Sequence, residues 1–147
     1  MEPSSKSSGA VRTFTLKEAN DLLPAIKRGL EKTLVLNERI KSLTNDMENL
    51  VSIWGKDVLE KGHMDNAYYF ERVTQREEAY QEMMQKINEI QSNGCIVKDV
   101  ETGLVDFYFS NKGELVFLCW RYGEQYVSHW HSIDEGFKSR REIRWTK

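Results

Sequence analysis

The sequence predicts an α+β protein, a long antiparallel helical hairpin followed by a four-stranded antiparallel β-meander. Three observations carry that prediction. Apolar residues recur every three or four positions through the first two thirds of the chain, the spacing of a helical stripe. After Gly94 the apolar period falls to two, the spacing of strands. Short clusters of Gly, Asn, Thr and Ser then cut the remainder into segments of strand length.

The first helix opens at a capping box, Thr15-Leu-Lys-Glu18, in which each end residue can satisfy an amide of the other. Pro24 lacks an amide hydrogen, so the helix either kinks there or restarts from Asn20 or Asp21. Beyond it, helix is expected to about Leu59, with Gly29 and Gly55 as mild costs. Leu23, Ile26, Leu30 and Leu34 lead into a seam of Ile40, Leu43, Met47, Leu50 and Trp54. At 1.5 Å per residue such a helix is on the order of 50 Å long, so it needs a partner along its length. Gly62 serves as the helix stop, and Asp65 or Asn66 caps a second helix from about Ala67 to Ser92. Its seam is Tyr69, Val73, Tyr80, Met83, Ile87 and Ile90, and Asn93-Gly94 ends it.

Four strands follow, over Cys95–Val100, Leu104–Phe109, Leu115–Arg121 and Tyr126–His131. The turns between them fall at Glu101–Gly103, Ser110–Gly113 and Tyr122–Gln125. Residues 1–11 read as a disordered, Ser-rich tail without the apolar stretch of a signal peptide. Residues 12–147 read as a single domain: the hairpin (12–93), the meander (94–131) and an irregular basic segment (132–147). One hairpin and one small sheet barely cover each other. A homodimer joined through the helices as a four-helix bundle is therefore expected.

The composition removes several function classes. Lys and Arg total 21 against 23 Asp and Glu, so no overall basic field favours nucleic acid, and the Arg-rich C-terminus is its only support. No apolar run approaches the ~20 residues that span a bilayer. No phosphate loop, nucleophile elbow or His-Glu-x-x-His helix is present. Cys95 and Cys119 lack zinc-pair spacing and sit in apolar segments. They read as buried free thiols of a cytoplasmic protein, the alternative being a pair in an oxidising compartment.

The titratable groups concentrate after Cys119. Among Arg121, Glu124, His129, His131, Asp134, Glu135 and Arg140 stand two of the three histidines of the chain. His129 and His131 are two apart on a strand, so both imidazoles leave one face. With Glu124, Asp134 or Asp106 as a third ligand they can hold a divalent metal, and Glu124, His129 and His131 are the metal candidates. The plainer reading is an aromatic strand at a sheet edge. Asp106 lies between Val105 and Phe107 inside an apolar strand and needs a counter-ion, for which Arg121 or Arg140 is expected. A tight turn at Asn111-Lys112 would set Asp106 opposite Phe117, with Trp130 alongside on the same face. This carboxylate either fixes the sheet through an internal salt bridge or floors a ligand pocket.

The pieces Arg12-Thr-Phe-Thr-Leu-x-Glu-Ala-Asn-x-Leu-Leu-Pro24, Gly94-Cys-x-Val-Lys-Asp99 and Thr102-Gly-Leu-Val-Asp-Phe107 recur in one bacterial family. Leu118-Cys-Trp-Arg-x-Gly-Glu124, Trp130-His131, Asp134-Glu-Gly-Phe137 and Arg140 complete the likeness. From Arg12 to Ile143 the chain resembles this family, the domain of unknown function numbered 2203. The resemblance implies a small bacterial cytosolic protein with no established activity. It also implies that Trp130-His131 belongs to the shared pattern and His129 does not, which turns attention to His131 with Glu124, Asp106, Asp99 and Arg140.

Three functional readings follow. The first is a ligand-binding or regulatory module whose sheet presents Asp106, Arg121, Glu124, His131 and Arg140 to a small anionic ligand. The second is a metal-dependent or acid/base enzyme using His131 and Glu124. The third is a scaffold acting through the helices alone.

Overall fold

The computed structural model describes residues 11–145, so the expected tail, Val11 apart, and Lys147 lie outside it. The reciprocal cap forms: the Glu18 amide donates to Thr15 Oγ1 at 3.0 Å and the Thr15 amide to Glu18 Oε1 at 2.8 Å. Helix α1 then runs Leu16–Trp54 and is continuous through Pro24, with no restart at Asn20 or Asp21. Pro24 is exposed, while its neighbours Leu23 and Ile26 are buried with Ala19 and Leu30. Burial of such side chains, at about 1.5–3 kcal/mol each, offsets the proline's cost of roughly 3 kcal/mol.

Helix α1 ends before Leu59. Gly55 adopts a left-handed conformation (φ 64°), and Gly55–Leu59 tightens into a 3-10 turn around the buried Val58. The glycine expected only to weaken the helix terminates it. Helix α2 spans Asn66–Gln91 and stops at the predicted place, where the amide of left-handed Gly94 donates to the Gln91 carbonyl at 2.9 Å.

The described residues form two compact units, one running to Leu30 and resuming at Ile87, the other Glu31–Lys86. In the second, α1 and α2 pair antiparallel. Arg76 Nη1 donates to Thr44 Oγ1 at 3.2 Å, Trp54 Nε1 donates to Asp65 Oδ2 at 2.8 Å, and Leu43, Met47 and Met83 are buried. His63 stacks edge-on against Trp54, with ring centroids 4.7 Å apart.

The first unit carries the sheet. Its strands are β1 (Ile96–Asp99), β2 (Leu104–Asn111), β3 (Glu114–Arg121), β4 (His129–Ser132) and β5 (Arg141–Glu142), antiparallel and in that order across the sheet. The meander therefore has five strands rather than four. The segment read as irregular folds back through a 3-10 turn at Phe137–Ser139, and Arg141 and Glu142 pair with Trp130 and His129. Two residues are too few to leave a period-two signal. The fourth strand also starts later than Tyr126, because the Val127 amide is taken by Asn20 Oδ1 at 2.8 Å.

Alternation sorts the strands into two faces. Val105, Phe107, Leu118 and Trp120 pack with Phe14, Leu23, Ile26, Leu30 and Ile90 into the core. Gly29 allows this close packing, since a Cβ there would lie 2.8 Å from Ile90 Cγ1. The opposite face carries Leu104, Asp106 and Tyr108 beside Arg121, Cys119 and Phe117, then His129 and His131. No helix among the described residues is long and apolar enough to cross a membrane.

Gly103 closes the β1–β2 turn at φ 71°, and a Cβ there would lie 2.5 Å from Tyr122 Cβ. Gly103→Ala combines a left-handed conformation with that overlap, and should cost about 2 kcal/mol or more in urea denaturation. A wild-type denaturation midpoint would contradict the geometry.

Candidate functional site

The register of β2 against β3 decides which polar groups meet. The hairpin turn is Lys112-Gly113, both left-handed at φ 55° and 88°, with Asn111 opposite Glu114. This lies one residue beyond the expected Asn111-Lys112 turn, so every cross-strand partner moves by two. Asp106 faces Cys119 rather than Phe117, and Phe117 pairs with Tyr108 and His131. Trp130 lies opposite Leu118 on the core face, not beside Asp106, and its ring packs against Trp145.

Asp106 and His131 are each 1% exposed and Cys119 is fully buried. The counter-ions of Asp106 are neither Arg121 nor Arg140. Lys98 Nζ lies 3.0 Å from Asp106 Oδ2 and His131 Nε2 lies 3.1 Å from the same oxygen. Lys98 occupies a β-bulge opposite the Val105–Leu104 step, and its ammonium also stands over the Phe117 ring at 4.2 Å. His131 Nδ1 donates to the Ser132 carbonyl at 2.8 Å, which fixes the ring and turns Nε2 towards Asp106. Among the described residues no donor bonds to Asp106 Oδ1, although it is buried. The donor atoms of Asp106, Cys119 and His131 all lie within 4.8 Å of one another, the only such group of three or more His, Cys, Asp or Glu among the described residues.

Glu124 and Arg140 form a second assembly. After left-handed Gly123 the chain turns, and Glu124 Oε1 accepts from the Arg121 amide at 2.9 Å and from Arg140 Nη1 at 3.1 Å, while Arg140 Nη2 bonds Oε2. The Glu124 carbonyl accepts from Trp120 Nε1 at 3.0 Å, so the turn is tied to the core as well. Burial opposes the charge on Glu124, but Arg140, the Arg121 amide and His129 together hold its carboxyl below the usual glutamate value. Arg140 also lies 4.2 Å over the Phe137 ring. His129 is not at a sheet edge, because β5 covers β4 and sets Glu142 opposite it; it is half-buried, and its Nδ1 pairs with Ser128 Oγ at 3.0 Å. Neither Glu124 nor His129 joins the Asp106–Cys119–His131 group.

A sequence model of one protein family, described as an uncharacterized conserved protein with domain of unknown function 2203, matches residues 12–143. The chain belongs to this family. No curated protein and no solved structure matches it. In this member of the domain of unknown function 2203 family, the pieces that carried the resemblance converge. Lys98, Asp106, Cys119 and His131 form the buried group, and Glu124, Phe137 and Arg140 form the second assembly.

Arg121 behaves differently from the other cations on this face. Among the described residues no carboxylate pairs with its guanidinium, which stands 5.5 Å from the centre of the Phe137 ring. It opens onto a cavity of about 170 Å³ lined by Asp99, Thr102, Leu104, Arg121 and Phe137. The bulge at Lys98 creates this setting by bringing Asp99 opposite Leu104, on the Asp106 face. Asp99 Oδ2 accepts from Thr102 Oγ1 at 2.7 Å. Sequence reasoning passed over Lys98, Thr102 and Phe137 as site residues, named Asp99 only through the family resemblance, and read Cys119 only as a buried thiol. Their signal lay in the family pieces, where Lys98-Asp99 and Cys119 stand beside the residues that were chosen.

Burial and then the Asp106 carboxylate push the Cys119 thiol up to about 12, against the pull of Arg140, and burial pushes Cys95 up to about 11. The thiolate is the nucleophile, so neither cysteine should react with a disulfide reagent at pH 8 in the folded protein, and both should react in denaturant. A rapid single-thiol reaction under native conditions would contradict this. Glu124→Gln should cost about 1–2 kcal/mol at pH 7, since it breaks a charge-assisted pair. Because the folded carboxyl titrates below its ordinary value of 4.5, that contribution is complete above 4.5 and fades as the pH falls towards the depressed value. Denaturation of the two proteins across pH 3–7 reads the difference, and a difference independent of pH would contradict the assignment.

Proposed function

We propose that this protein is a binding module whose sheet takes a small carboxylate at the Arg121 cavity. The observation that carries the reading is the guanidinium of Arg121, paired with no carboxylate among the described residues and lining a cavity, on a face where Asp106, His131, Glu124 and Arg140 are committed to one another and to Lys98. Arginine presents a fork that matches a carboxylate. Asp99, across the same cavity, favours a ligand with an amine or hydroxyl next to its acid group. The burial of His131 and the bidentate engagement of Glu124 give the acid/base enzyme reading less support. Thermal unfolding in millimolar α-amino and α-hydroxy acids tests the proposal. Ligand at 100 times its Kd stabilises by about 2.7 kcal/mol, so the midpoint should rise with at least one acid and stay flat in Arg121→Ala. A flat response of the wild-type protein across both series would count against it.

The helical unit supports a second proposal, a homodimer through α1 and α2. Val51, Ile53, Tyr68 and Phe70 are exposed there, and a second copy supplies an apolar surface for them. Light scattering should give twice the mass of one chain, and Ile53→Asp with Phe70→Asp should halve it. A wild-type monomer at high micromolar concentration would end this reading. Two buried thiols without a disulfide also support a cytoplasmic location.

A further inference from the structure

The buried group on the outer face has the chemistry of a metal centre. We propose that Asp106, Cys119 and His131 bind a zinc ion through Asp106 Oδ1, Cys119 Sγ and His131 Nε2. A carboxylate, a thiolate and an imidazole form a ligand set suited to zinc, with a fourth position for water. Three independent features fit that role. Asp106 Oδ1 is buried, makes no hydrogen bond among the described residues and belongs to a carboxylate whose other oxygen is already held by Lys98 and His131. A buried acceptor left open is costly unless something occupies it.

The second feature is the orientation of His131. Its Nδ1 hydrogen goes to the Ser132 carbonyl, the outer hydrogen bond that ligating histidines ordinarily make, and this turns Nε2 into the group, where zinc would replace its contact with Asp106 Oδ2. The third is spacing. Tetrahedral zinc needs donor atoms about 3.3–3.8 Å apart, which follows from bonds of about 2.0–2.3 Å. A carboxylate oxygen of Asp106, Cys119 Sγ and a ring nitrogen of His131 lie within 4.8 Å of one another, so closing on the ion takes shifts of about an ångström.

The charges also balance. Zinc with one carboxylate and one thiolate is neutral, and Lys98 on Asp106 Oδ2 together with Arg140 beside Cys119 serve as outer partners of the two anionic ligands. Binding releases the thiol proton of Cys119 and any proton held between His131 Nε2 and Asp106. This site shares no ligand with the Arg121 cavity, so either proposal can fail without the other.

The test uses untagged, chelator-treated full-length protein with Zn²⁺ and Co²⁺ as probes. One zinc per chain should survive gel filtration. The cobalt form should show a thiolate-to-metal charge-transfer band in the near ultraviolet. That band should persist in Cys95→Ser, where Cys119 is the only thiol left, and vanish in Cys119→Ser and His131→Asn. Cys95→Ser keeps the test decisive if the other variants fold poorly. Absence of the band from both wild type and Cys95→Ser would overturn the proposal, as would undiminished zinc in a folded Cys119→Ser.

Discussion

A carboxylate with one per cent exposure in the middle of a sheet has to find its counter-charges among its own strand and the strands beside it, and Asp106 finds them in Lys98 and His131. An uncompensated charge in that place would cost several kcal/mol, more than any single apolar contact nearby returns. The outer face is therefore arranged around one residue. Strand β1 carries Lys98 at its bulge, β4 is placed so that His131 reaches across β3, and the segment after β4 folds back to pair with it. The apolar face opposite follows helix-on-sheet packing rules, whereas this face follows electrostatics.

Backbone geometry fixes which groups meet. The two left-handed residues of the Lys112-Gly113 turn set the β2–β3 register and bring Cys119 to Asp106. Alternation from Ile96 puts Lys98 on the Asp106 face, and the bulge brings Asp99 to the same face, so neighbouring residues serve the buried group and the Arg121 cavity. Glu124 ties the strand end at Arg121 to Arg140, since it receives the Arg121 amide and the Arg140 guanidinium. Phe137 then stands within reach of both arginines. One arginine is neutralised by Glu124, and the other lines the cavity.

The helices were legible because their determinants are local. The Thr15–Glu18 cap, the stop at Asn93-Gly94 and the seams through Leu43, Met47 and Met83 are all short-range patterns. The end of α1 was misplaced because Gly55 can sit in a helix or terminate it, and its neighbours do not say which. The site was half legible. Asp106 and His131 stood out as polar residues in apolar strands. Their partners did not, because a one-residue error in locating a turn moves each cross-strand neighbour by two. Arg121 and Arg140 looked equivalent as counter-ions in sequence, yet among the described residues Arg140 is claimed by Glu124 and Arg121 by no carboxylate. The fifth strand was invisible because a two-residue strand carries no period.

That Asp106 organises the outer face is tested most directly by the stability of Asp106→Asn, measured by chemical denaturation at neutral pH in the presence of chelator. The asparagine keeps the shape and removes the charge that Lys98 and His131 face. The expected result is a loss of about 3 kcal/mol, as for a buried ion pair broken from one side. A loss within about 0.5 kcal/mol, the range of an ordinary surface substitution, would contradict it.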